Sequence, residues 1–150
     1  MACGKHGLGL EALEQSLLLA PQDGQVRARF ASHLFDDQRY AQAREQALIV
    51  LSSGDSTARK VGLGVAGAYA RRLMRQRDDA AVAHLLAELG EWVLRDATLS
   101  AVRAWMLDAQ GERREAQDAL RAAHKLEPKH PLILALQEPL GIKRWSWFGW

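Results

Sequence analysis

The apolar positions of this chain recur every three or four residues, which is the spacing of amphipathic helices; the alternation typical of strands is absent. In the first such segment Leu10, Leu13 and Leu17 share one face, and Pro21 ends the pattern. Glycines, prolines and short polar stretches interrupt the later segments in the same way. The pattern therefore predicts eight helices, over residues 8–20, 25–36, 40–51, 57–76, 79–94, 98–110, 113–126 and 132–137.

The clearest part of this pattern is residues 97–128, two amphipathic segments joined at Gly111 and closed by Pro128. Small residues stand where two helices must approach closely, and a similar arrangement recurs about 34 residues earlier. A single helical hairpin cannot bury its apolar face, whereas stacked hairpins do. The sequence thus predicts one repeat domain over residues 8–137, with a loose terminus before it and a tail after it. The predicted parts are 1–7, the repeats at about 24–58, 59–96 and 97–130, and the tail 138–150.

This pattern resembles the tetratricopeptide repeat family, whose 34-residue unit is a helix–turn–helix with small residues at the helix contacts and a proline near its end. The matching positions in the first and last repeats are Phe30, Ala31, Leu34, Tyr40, Ala43, Val50, Ala104, Leu107, Gly111, Ala116, Leu120 and Ala123. The middle repeat is about four residues longer, and the small position of its second helix is either Ala80 or Ala83. The resemblance implies an all-α, right-handed α-solenoid of about three helical hairpins with flanking N- and C-terminal helices.

In such a solenoid the first helix of each pair lines the concave face. The resemblance therefore implies a partner-binding groove in which Phe35 and Trp105 are aromatic anchors, with core packing as the alternative role for Trp105. The expected contact residues are Ser32, Phe35, Ala101, Trp105 and Asp108. Family members that hold a C-terminal carboxylate use lysine and asparagine at fixed first-helix positions. Here Ala28, Ser32, Ala101 and Trp105 occupy those positions, so an apolar strand or helix is the favoured ligand.

Composition fits a soluble globular protein, with 48% apolar and 25% charged residues. The net charge of +2 gives no general attraction for nucleic acid, and the arginines between Arg71 and Arg77 are interpreted as a solvated helix face. The single cysteine, Cys3, excludes an internal disulfide. No apolar run approaches the roughly 20 residues that cross a bilayer. These features predict a cytoplasmic protein, and the richness in alanine, arginine and leucine is typical of a bacterial one.

Candidate catalytic and metal-binding patterns are weak. Residues 62–67 spell GxGxxG, but a dinucleotide site needs that motif between a strand and a helix, so close helix packing is the favoured interpretation. The five histidines show no i, i+4 pair, and Cys3 with His6 supplies only two ligands. The sequence therefore predicts no enzyme, no metal and no cofactor.

The tail is rich in aromatic and basic residues: Lys143, Arg144, Trp145, Trp147, Phe148 and Trp150. It either caps the chain's own repeats, docks on a partner or a second copy, or lies at a membrane surface. The leading hypothesis is a non-catalytic protein–protein adaptor, such as a co-chaperone or assembly factor, that binds a peptide or helix. The alternative is a peripheral membrane or self-assembly module that acts through this tail.

Overall fold

The computed structural model describes residues 3–142, with side chains from Gly9 onward, and within that range it is all-helical and contains no strand. A short 3-10 segment, Gly90–Arg95, continues the fifth helix. The chain divides into two compact units, Met1–Tyr69 and Ala70–Trp150, so the boundary lies inside α4. The α-helices are α1 (Cys3–Leu19), α2 (Gly24–Asp36), α3 (Tyr40–Leu51), α4 (Ser56–Arg75), α5 (Asp79–Leu89), α6 (Ala97–Ala109), α7 (Arg113–Leu126) and α8 (Pro131–Gln137).

Two elements differ from the sequence prediction. Helix α1 begins at Cys3 and so includes most of the predicted loose terminus, because Gly4 and Gly7 lower helix propensity without providing a stop. Helix α5 ends at Leu89, although the apolar pattern predicted a helix up to residue 94. Gly90 has φ 58° and ψ −127°, a conformation that side-chain-bearing residues rarely adopt, and this break starts the 3-10 segment.

In the first unit, small side chains let the helices pack closely. Ala31 on α2 and Ala43 and Ala47 on α3 are buried in one cluster with Leu34 and Val65. Helix α4 continues through the GxGxxG stretch, and a Cβ at Gly62 would lie only 3.0 Å from Val50 Cγ1. The first of these glycines therefore serves close helix packing, as the sequence predicted.

In the second unit, α6 and α7 pack against each other as a hairpin and α8 packs on both of them. The predicted small contact residues Ala104, Ala116 and Ala123 are fully buried. The buried His130 holds the start of α8. Its Nδ1 accepts the Leu132 N–H at 3.2 Å, so its Nε2 donates to Thr98 Oγ1, 2.8 Å away on α6.

Three turns that each join two successive helices share one hydrogen-bonding pattern, and the turn at Gly141 after α8 shows it as well, with the Ile142 N–H donating to the Gln137 carbonyl at 2.8 Å. Each contains a residue with positive φ, and the amide after it donates to the carbonyl five residues back, as in the Schellman motif. The positive-φ residues, Gln38, Arg77 and Gly111, are 39 and 34 residues apart. The three backbone bonds are Arg39 to Leu34 (2.8 Å), Asp78 to Leu73 (3.1 Å) and Glu112 to Leu107 (2.9 Å).

This shared pattern fixes the register of the middle turn. Ala43 and Ala116 donate to the carbonyls of Arg39 and Glu112, and Val82 donates in the same way to Asp78. The fully buried Val82 thus occupies the position for which the sequence offered Ala80 or Ala83. The interval from Gln38 to Arg77 is 39 residues, five more than 34, and Val82 stands where the other two turns have alanine.

Candidate functional site

An open, mainly apolar groove of about 560 Å³ lies in the second unit between α5, the 3-10 segment and α6. This volume is within the range of ligand pockets in proteins. Only three lining residues are polar: Glu91, Arg103 and Gln110. The complete lining is Ala83, Leu86, Ala87, Gly90, Glu91, Val93, Leu94, Arg103, Met106 and Gln110.

Both long walls of the groove are helix faces. The α5 wall runs from Ala83 to Gly90, with small residues at three of its four positions, and these leave the space that forms the groove. The α6 wall runs from Arg103 through Met106 to Gln110, at i, i+3 and i+7. Each wall is therefore about 10 Å long, or two helical turns.

The break at Gly90 forms the edge of the groove. Beyond it the 3-10 segment buries Val93, which is 4% exposed, and leaves Leu94 58% exposed beside the groove. The buried Ser100 Oγ on α6 donates to the Val93 carbonyl at 2.7 Å. This hydrogen bond fixes the segment against α6 and so holds the groove edge in place.

The start of α6 is capped by Asp96, whose Oδ2 accepts the Leu99 N–H at 2.9 Å. Burial raises the pKa of this carboxyl above its ordinary value, against the opposing effect of the cap hydrogen bond. The cap therefore combines a favourable hydrogen bond with an unfavourable desolvation of the carboxylate.

Two charges of opposite sign line the groove: Arg103 on its α6 wall and Glu91 on the 3-10 segment at its edge. Both residues are exposed, and neither makes a hydrogen bond or ion pair with any residue that the structure describes. Nearby polar side chains are engaged elsewhere, since His84 Nε2 lies 2.8 Å from Glu88 Oε1 and the Arg95 guanidinium lies 4.9 Å from the Trp92 ring centroid. Arg103 and Glu91 are thus available to a bound molecule.

The structure divides the five groove residues expected from the sequence between the two units. Ser32 and Phe35 are half-buried in the first unit. The Phe35 ring packs on the core and makes an edge contact with Tyr40 at 5.1 Å, and Tyr40 in turn stacks on Tyr69 at 6.2 Å. The contacts observed for Phe35 are packing contacts.

The other three expected residues are on α6. Ala101 is fully buried and offers no surface to a partner, and Asp108 forms a 3.5 Å ion pair with Arg113. Together with the half-buried Trp105 they lie at i, i+4 and i+7, on the face of α6 nearly opposite Arg103, Met106 and Gln110. None of the five expected residues lines the groove, because the break at Gly90 opens the other side of α6.

Two features of the sequence are explained by this groove in retrospect: a charged residue, Arg103, within the apolar pattern of α6, and Gly90 inside a predicted helix. Neither identified Leu86 or Met106 as lining residues, since apolar residues at helical spacing look the same whether they fill a core or line a groove.

Some of the sequence predictions concern residues that the structure does not describe. The tail residues Lys143, Arg144, Trp145, Trp147, Phe148 and Trp150, and the side chains of Cys3 and His6, lie outside the described part of the chain. Among the described residues, no group of three or more His, Cys, Asp or Glu side chains is placed to hold a metal ion. No helix in that part has the length and apolar character needed to cross a bilayer.

The chain matches no model of a known protein family, no curated protein and no solved structure. Its function must therefore be argued from the geometry of the groove itself.

Proposed function

We propose that this protein is a non-catalytic adaptor, of the kind that co-chaperones and assembly factors represent, and that it holds a segment of a partner protein in the groove beside α6. The observation that carries the proposal is the groove itself, an open apolar concavity with Leu94 exposed at its edge. Apolar surface of this kind marks interaction sites in soluble proteins.

The chemistry of the lining supports binding over catalysis. Leu86, Val93, Leu94 and Met106 offer methyl, methylene and thioether groups for packing, and the lining includes no serine, cysteine or histidine. Such a surface recognises apolar side chains by shape and burial.

We also propose that the hairpins stack as a right-handed, tetratricopeptide-like solenoid. The support is the turn pattern at Gln38, Arg77 and Gly111, which recurs with the same hydrogen bonds and, in its second interval, at the 34-residue spacing. A recurring turn gives each helical pair the same local geometry, as repeat architectures require.

The adaptor proposal is tested by blocking the groove in the whole protein. Leu94→Glu places a charge at the groove edge, and Ala87→Trp fills the groove from the exposed face of α5. Proteins captured from extracts of the source organism are quantified by mass spectrometry. We expect both variants to lose proteins that the wild type captures.

Matched substitutions outside the groove are the controls. Leu126→Glu changes a leucine that is 48% exposed on α7, and Ala122→Trp changes an exposed alanine on the same helix. Both should capture the wild-type set. If the groove variants also capture that set, the groove is not the binding surface and the proposal is wrong.

A further inference from the structure

The occupant of the groove can be specified further, on the basis of the proposed adaptor function. Both long walls of the groove are helices, whose main-chain groups are paired within the helices themselves. An extended peptide that binds by strand addition gains affinity from main-chain hydrogen bonds to a sheet edge, and neither helical wall offers such an edge. A helix satisfies its own main chain, and its i, i+4 and i+7 side chains span two turns, as the groove does.

Charge adds a second requirement. A partner that covers the groove removes water from Arg103 and Glu91, which costs free energy unless each charge gains an opposite one. A carboxylate suits the guanidinium because it accepts two parallel N–H bonds, and a lysine or arginine suits Glu91. Because the two charges lie on different elements, the partner helix must carry both an acidic and a basic residue beside its apolar stripe.

We infer that the groove binds an amphipathic helix of a partner protein, whose apolar stripe is accompanied by an acidic residue that faces Arg103 and a basic residue that faces Glu91. Such complementary charges contribute to the choice of partner.

The inference is tested with the full-length protein and three fluorescein-labelled helical peptides that share one leucine stripe. Their flanks are acidic and basic, all acidic, or all basic, and binding is measured by fluorescence anisotropy at low salt, where charge effects are screened least. We expect the mixed peptide to bind about three- to fivefold more tightly than either of the others, as for partly exposed ion pairs.

Charge reversal in the protein should change this preference. Arg103→Glu makes both charged side chains of the groove acidic, so the all-basic peptide should become the tightest, and Glu91→Lys should favour the all-acidic peptide. Arg114→Glu makes the same charge change on the exposed face of α7 and should keep the preference for the mixed peptide.

The results separate the charge inference, the helical occupant and the adaptor proposal. If the peptides bind but Arg103→Glu leaves their order unchanged, the charge inference is wrong while the adaptor proposal stands. If no peptide binds the wild type or the charge variants, the helical occupant is wrong, and the capture experiment above judges the adaptor proposal separately.

Two other occupants are distinguished by the anisotropy assay and by sedimentation. If the peptides bind only after Trp145, Trp147 and Trp150 are changed to serine, the groove is occupied by the chain's own tail. If Ala87→Trp converts a dimer into a monomer in sedimentation, the occupant is a second copy. Either result overturns the inference of a partner helix.

Discussion

Helix α6 contacts α7 on one side and α5 with its 3-10 extension on the other, and these two contacts differ although both use alanines. Toward α7, the contact residues Ala104, Ala116 and Ala123 are fully buried and the helices meet closely. Toward α5, Ala83 and Ala87 remain exposed and line the groove. The connections differ too: a short turn at Gly111 on one side and the six-residue segment Gly90–Arg95 on the other. Small residues therefore permit close packing, and the connection between two helices decides whether it happens.

The largest expected effect is at the closed contact. Ala116→Leu adds three carbon atoms to a fully buried position between packed helices, and overpacking of this kind costs about 3 kcal/mol. We expect the free energy of unfolding, measured by urea titration, to fall by about that amount.

The same substitution at the open contact is the control. Ala87→Leu extends a side chain into the groove, so the free energy of unfolding should change by no more than about 0.5 kcal/mol. If the free energy of unfolding fell equally in Ala116→Leu and Ala87→Leu, both helix contacts would be closed in solution.

This comparison also shows what the sequence could predict. Helical periodicity indicated all eight helices, and alanine spacing identified the hairpin α6–α7 together with its buried contact residues Ala104 and Ala116. Those features depend on local propensity and on the spacing of apolar residues, which one sequence contains. Asp55 and Asp78 cap α4 and α5 by accepting backbone amides, a role that aspartate favours at the start of a helix.

The groove could not be predicted, because it depends on a backbone angle at one residue. Gly90 was counted as part of a helix, since a glycine inside an apolar pattern lowers helix stability without ending the helix in every case. The family register then placed Ala101 in the groove, whereas the structure buries it. Sequence periodicity locates the faces of a helix but does not say which face a neighbour leaves uncovered.

The next prediction concerns that glycine. An alanine at position 90 would keep φ 58° and ψ −127° only with strain, which costs about 2 kcal/mol, even though its Cβ would meet no atom within 4 Å. We expect Gly90→Ala to lower the free energy of unfolding by about that amount.

A second glycine separates strain from a general effect of alanine. Gly64 lies inside α4 with open space around its Cβ position, so Gly64→Ala should raise the free energy of unfolding by about 0.5–1 kcal/mol. If Gly90→Ala is also stabilising, the backbone break that forms the groove edge is not a fixed feature of the folded chain.

The smallest effect distinguishes the caps of two helices by their pH dependence. Burial raises the pKa of Asp96 at the start of α6 above the ordinary 3.8, so the folded chain holds this proton more tightly than the unfolded chain does. The contribution of Asp96 to the free energy of unfolding is therefore largest below pH 3.8 and decreases as the pH rises through the pKa of the folded chain. At the start of α4, the Gln25 side chain donates to Asp55 Oδ2 at 3.0 Å, and this bond together with the backbone amides lowers the pKa of Asp55. The contribution of Asp55 to the free energy of unfolding is present above pH 3.8 and is lost as the pH falls through the lowered pKa of the folded chain.

Asparagine at either position keeps a capping oxygen and removes the titration. Urea unfolding of the wild type, Asp96→Asn and Asp55→Asn is compared between about pH 3 and pH 7. The stability of the wild type relative to Asp96→Asn should fall as the pH rises, whereas relative to Asp55→Asn it should increase. If both differences changed with pH in the same direction, the backbone hydrogen bond to the carboxylate of Asp96 would outweigh its burial, and the contrast between the two caps would be wrong.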